Sequence, residues 1–188
     1  MACLTKIQSA ITYDCDSGNV GLVSALLINK EDIATISFDS TNASAVASIK
    51  LKEGATAYKI DTVKRTLVTT ESLKVNEGAP NAYTHTVTLT VTGALNSPLL
   101  RDIINPAANG SFVIATRVLN FPGSSTNTTH ARVFGLYYGL SVNAVERSSH
   151  ENGGWYTITM ATPERVIGEG GLTLAISEYM ALYNSSVG

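Results

Sequence analysis

Charge is scarce in this chain. Lys and Arg total 13, and Asp and Glu 15, which is 15 % of 188 residues, against roughly 25 % in a typical soluble domain. A folded monomer ordinarily keeps charge on its surface. A Thr-, Ser-, Asn- and Ala-rich chain this poor in charge therefore points to surface buried against other chains. The net charge of −2 excludes a general nucleic-acid binder, which needs a basic excess to hold phosphates. Cysteine is limited to Cys3 and Cys15. With no second pair a zinc site is excluded, and two reduced thiols are expected. The opening Met-Ala-Cys-Leu-Thr-Lys has no charged leader followed by a long apolar stretch, so no signal peptide is expected. Long apolar runs are missing too. Val20 to Ile28 is broken by Gly21 and Ser24 and is too short to cross a bilayer, so no membrane partner is expected.

The residues that carry chemistry are equally thin. His85, His130 and His150 are scattered, with no His-x-x-x-His or His-Glu-x-x-His pair for a metal. There is no Gly-x-Ser-x-Gly elbow and no Gly-Lys-Ser/Thr phosphate loop. In Gly168-Glu169-Gly170-Gly171 a threonine, Thr173, stands where a dinucleotide fingerprint needs its third glycine. Asp14 and Asp16 match the start of a calcium loop, but Gly18 is misplaced and Ala25 replaces the bidentate glutamate, which favours a plain acidic turn. Most carboxylates fall in expected turns, where solvated acids are the ordinary reading. The sequence thus directs neither a catalytic residue nor a cofactor.

What the chain does have is strand signal. From Tyr83 to Gly93 every even position between Thr84 and Thr92 is threonine, while Tyr83, His85, Val87, Leu89 and Val91 occupy the odd ones. On a strand these sets point to opposite faces, so one apolar face should lie on a core. The threonine face should meet water or a neighbouring subunit. His85 lies on the apolar face and reads as a core histidine rather than a ligand.

Further strands are expected at Val20–Asn29, Ile33–Phe38, Ser48–Leu51, Ala57–Val63, Thr66–Lys74, Phe112–Leu119, Ala131–Leu140 and Trp155–Met160. Glu53-Gly54 between the third and fourth suits a hairpin. Gly135 and Gly139 mark a bulge or a close backbone approach. Ser40–Ala47 and Asn120–His130 read as polar loops. One short helix is expected after Ser97, with Pro98 in its first turn and an apolar stripe of Leu99, Leu100, Ile103 and Ile104. Leu172–Tyr183 has no clean period, and strand and helix both remain open. The sum is a single all-β domain over residues 1–188: a β-sandwich or barrel of about eight to ten strands with one short helix. Trp155, Tyr137, Tyr138 and Tyr156 could build a sugar-stacking platform, though alternate members of these runs more simply fill the core.

The order of features carries a resemblance. Asp14-Cys15-Asp16 leads to Gly21-Leu22-Val23 and Leu27-Ile28-Asn29-Lys30-Glu31-Asp32-Ile33. Then come Tyr83-Thr84-His85-Thr86-Val87-Thr88-Leu89, a short helix, and Val133-Phe134-Gly135-Leu136-Tyr137-Tyr138-Gly139-Leu140. Gly154-Trp155-Tyr156-Thr157-Ile158-Thr159 completes the series. This resembles small virion proteins of Bacteroidota-infecting, crAss-like and related tailed phages, which look like tail-tube-type β-sandwiches assembled into rings. The resemblance implies a structural virion component, assembled in the host cytoplasm and located in the virion. It would oligomerise into a ring in the neck or tail, lining or extending the DNA conduit. It implies no catalytic residue.

The implied partners are further copies of the chain, other neck, portal or tail proteins, and DNA passing without sequence-specific binding. A head-decorating protein, a carbohydrate-binding module and a small hydrolase are the alternatives. Loops on a rigid scaffold usually carry binding. Phe121 in the Asn120–His130 loop, and Tyr179, Met180, Leu182 and Tyr183 in the C-terminal segment, are therefore the expected subunit-contact residues. The C-terminal segment is either an arm to a neighbour or the last strand of its own sheet.

Overall fold

The computed structural model describes residues 19–60, 67–75, 82–91, 108–120, 130–147, 156–164 and 170–186. Among them are eleven strands and one α-helix. The strands are β1 Asn19–Asn29, β2 Ile33–Phe38, β3 Ala45–Leu51, β4 Tyr58–Ile60, β5 Val68–Lys74, β6 Ala82–Val91, β7 Phe112–Asn120, β8 His130–Phe134, β9 Ser141–Arg147, β10 Tyr156–Ala161 and β11 Leu172–Ala175; the helix is α1, Ile176–Ser185. The all-β expectation with a short helix holds. The helix expected after Ser97 lies outside the described residues, as do Cys3 and Cys15.

The strands form two sheets, one of seven strands in the order β2-β3-β11-β8-β7-β1-β4 and one of four in the order β5-β6-β10-β9. The larger sheet must curl. Four strands separate β2 from β1 in its order, a distance of about 24 Å in a flat sheet. The turn joining these two strands is only Lys30–Asp32, and from Asn29 to Ile33 the chain reaches at most about 14 Å. Two hydrogen bonds fasten the turn: Lys30 N donates to Ser111 O at 2.9 Å, and Lys30 Nζ to Leu136 O at 2.8 Å.

The inside of the curl is one core. Leu26 and Ile28 of β1, Val46 and Ile49 of β3, Val113 and Ala115 of β7, Ala131 and Val133 of β8, and Leu172 and Leu174 of β11 meet there around Tyr179 of α1. The outside of β1, β7 and β8 is also covered. Phe112, Ile114, Phe134 and Leu140 pack with Val87, Leu89 and Met160 of the smaller sheet in a second core. The order is therefore helix, curled sheet, smaller sheet. Central strands buried on both faces lose their polar alternation, which is why Phe-Val-Ile-Ala-Thr in β7 reads as a continuous buried run.

Several expectations change. Gly54 does turn the chain, with φ +79°, but β3 and β4 do not form a hairpin. β4 pairs with β1 through Ala25–Ile60 and Leu27–Tyr58, because curling brings the two ends of the large sheet together. The strand expected over Ala131–Leu140 ends at Phe134. Gly135, at φ +77°, starts a turn that lets Leu140 bridge back to Phe112, and a Cβ there would sit 2.7 Å from Leu140 Cγ and 2.9 Å from Phe112 O. β9 was not expected; a register shift opposite Thr159/Met160 breaks its alternation. The Ser40–Ala47 loop is shorter than expected. β3 starts at Ala45, and Asp39 Oδ1 closes the turn by accepting from Thr41 N at 2.7 Å and Asn42 N at 3.2 Å. The segment Leu172–Tyr183 has no single period because it holds both elements, a four-residue strand and then a helix.

Tyr179 is fully buried, and its hydroxyl is hydrogen-bonded to that of Ser24 at 2.8 Å. Tyr179→Ala should cost about 3–5 kcal/mol by opening a large cavity, whereas Tyr179→Phe should cost about 1 kcal/mol for the lost hydrogen bond. Urea unfolding of the two variants checks this. Comparable small losses for both would show that α1 does not plug the curled sheet.

Candidate functional site

The polar residues that converge most closely lie where the two sheets meet. β5 and β6 pair without a register break, from Val68–Thr88 to Lys74–Ala82, with Glu71 opposite His85. These odd positions face the larger sheet, as the burial of His85, Val87 and Leu89 shows. Arg132 of β8 reaches across from that sheet. Its Nη2 is 3.3 Å from Glu71 Oε2, and His85 Nε2 is 3.5 Å from the same oxygen. The backbone of His85 is held at the end of β10, donating to Thr162 Oγ1 at 2.8 Å and accepting from Thr162 N at 3.0 Å. Its ring meets Phe134 edge-on, with centroids 5.1 Å apart and an interplanar angle of 86°. Gly171 lies against the pair, and a Cβ there would displace the Glu71 carboxylate and the Arg132 guanidinium.

His85 is a core histidine, as expected, yet neither ring nitrogen makes a hydrogen bond. Its contact with Glu71 is electrostatic. Burial pushes the imidazole below its ordinary value, the Glu71 charge pulls it up, and the Arg132 charge adds to the lowering, so the net shift is downward. With a single base, a single carboxylate and a guanidinium, the group can hold or release a proton. Among the described residues no three His, Cys, Asp or Glu side chains gather as metal ligands. No helix among them is long and apolar enough to cross a membrane.

The expected contact residues are placed differently from one another. Phe121 lies outside the described residues. Tyr179 is closed inside its own chain's core, which corrects its expected role: a ring already packed between the strands of its own sheet has no face left for a neighbour. Met180, Leu182 and Tyr183 are half-buried against the same core. Tyr183 stacks on Tyr179 at 6.0 Å and lies 4.7 Å from Lys59 Nζ.

Among the described residues, the tyrosines expected for an aromatic platform do not come together. Trp155 lies outside the described residues. Tyr156 sits beneath Arg147 at the far end of β9, while Tyr137 and Tyr138 occupy the turn before that strand, with Tyr137 stacked on Phe38 at 5.7 Å.

The sequence reading missed the exposed apolar side chains on edge strand β5. Val68 is 53 %, Leu73 50 % and, just beyond, Val75 76 % exposed. Their signal was available, since apolar residues occupy both faces of the weak Thr66–Lys74 segment. A strand covered on one face only would not need them.

Comparison of the chain with protein-family models, with curated proteins and with solved structures finds no match.

The downward shift of His85 makes a prediction about stability. The unfolded chain takes up its proton near 6.5, and the folded chain only at lower pH. Between these values the unfolded state binds more protons, so stability falls as pH drops below about 6.5 and levels off beneath the folded value. His85→Phe should remove this component of the pH dependence in denaturation curves. An unchanged slope would show that His85 is not the group responsible.

Proposed function

We propose that this chain is a structural virion protein of a tailed bacteriophage that oligomerises into a ring in the neck or tail and lines or extends the DNA conduit. The observation that carries the reading is the complementarity of the two outer strands of the smaller sheet. Neighbours in the order β5-β6-β10-β9 are all antiparallel, so β5 and β9 run in opposite directions. β9 of one copy can therefore continue the alternation into β5 of the next. Such head-to-tail contacts make a ring when the rotation between copies closes, and they leave neither edge of the smaller sheet open.

The side chains fit this pairing. Val145 of β9 shares a face with Ile158 and Leu89, and Glu146 shares the other with Thr157 and Thr90. Setting Arg147 opposite Glu71 puts Val145 opposite the exposed Leu73, and Glu146 diagonal to Lys74. Opposite charges and apolar pairs at these positions each contribute about 0.2–1 kcal/mol.

The outer face of the same sheet suits a conduit. Thr84, Thr86 and Thr88 of β6 run beside Thr70 and Ser72 of β5 and Thr159 of β10. Charge on this face falls at diagonally opposite corners, on Lys74 and Glu146. A hydroxylated surface without a row of cations would let DNA pass without gripping its phosphates.

Native mass spectrometry should find one closed multimer, and the protein should be present in purified particles. Leu73→Asp should yield a folded monomer. Lys74→Glu should weaken assembly, and adding Glu146→Lys should restore it. A wild-type protein that stays monomeric at high concentration and is missing from particles contradicts the proposal.

A further inference from the structure

His85 packs in the core against Phe134, but the proposed ring contact makes no use of its titratable ring. It is fully buried, with no hydrogen bond at either ring nitrogen and only the ionic contact of Nε2 with Glu71, a costly arrangement for a polar ring that an apolar residue could replace. Among the described residues the charged groups facing it are Glu71 from β5 and Arg132 from β8; Thr162, just beyond β10, is uncharged. The two bases share one carboxylate oxygen. The Glu71–Arg132 contact links the outer strand of the smaller sheet to the larger sheet, and Arg132 is 43 % exposed, so its guanidinium can turn to water. His85 has no such exit.

We propose that Glu71, His85 and Arg132 form a proton-operated latch on β5. With His85 neutral, Glu71 holds Arg132 and ties β5 to the larger sheet. A proton arriving at His85 makes a buried cation that must take Glu71 as its partner. Arg132 then gives up the carboxylate to the imidazolium and turns outward. The link between sheets is lost, and β5 loosens. Phe134 backs both the imidazole and the guanidinium, so the exchange of partners takes place over one ring. The latch belongs to the single chain and does not depend on the ring. If the ring reading holds, the same proton weakens the edge on which the next copy would dock.

Amide hydrogen exchange across Val68–Lys74 tests the latch, read relative to the β1–β7 amides of the same sample to cancel the intrinsic pH effect. From about pH 7.5 down to about pH 4.5, a range that extends below ordinary histidine titration as the lowered His85 requires, relative protection of β5 should fall several-fold. His85→Phe should hold its protection at both pH values, and Arg132→Gln should show low protection at both. A wild-type ratio that does not change with pH overturns the latch. So does an equal pH-dependent loss in His85→Phe or, should that variant not fold, in Glu71→Gln. Mass measurement on the same samples separates the two proposals: a monomer at every pH with pH-dependent β5 exchange rejects the ring and retains the latch.

Discussion

Burial of one sheet on both faces is the constraint on which the rest of this structure depends. β1, β7 and β8 send alternate side chains into two different cores. The inner core exists only because the seven-stranded sheet curls, and the curl needs something to close around. Tyr179 and its helix provide that. The outer core needs the smaller sheet, and β6 supplies it with Val87 and Leu89 while turning threonines outward. Removing either covering layer would expose apolar strands that cannot face water. The C-terminal segment is therefore part of the folding unit.

How much of this was legible in the sequence depended on how many faces an element buries. β6 was plain because His85, Val87 and Leu89 are buried while Thr84, Thr86 and Thr88 alternating with them are only partly so, and period two survives. β1 and β7 were legible as short apolar runs, but their partners were not, since pairing order leaves no local trace. The turn at Gly54 looked like a hairpin because its chemistry is local, while the pairing of β4 with β1 follows from the curl. β9 was invisible because its register shift hides the alternation of Val142 and Val145. For the sheet-junction site, the buried position of His85 was readable from its odd place in β6. Glu71 was read only as one carboxylate among many, and Arg132 was not singled out. Their convergence is a product of one sheet packing on the other.

The functional account rests on surfaces. The exposed apolar side chains of β5, the charges placed on β5 and β9, and the opposed directions of these two strands describe edges suited to each other more than to solvent. Low overall charge is consistent with this, because surface covered in an assembly needs less of it. His85 adds a second layer to the same region. A buried base whose ring nitrogens make no hydrogen bond costs stability, and in the proposed latch that cost is exchanged for a response at the edge strand.

The central claim is that β9 of one copy meets β5 of the next. Site-directed disulfide formation tests it most directly. With Cys3 and Cys15 replaced by serine, a chain carrying both Leu73→Cys and Val145→Cys is oxidised and run without reductant. The account predicts a ladder of covalent multimers ending in one discrete largest species, with each single-cysteine chain failing to extend beyond a dimer. Monomer alone from the double-cysteine chain, under conditions where free thiols are consumed, would contradict it.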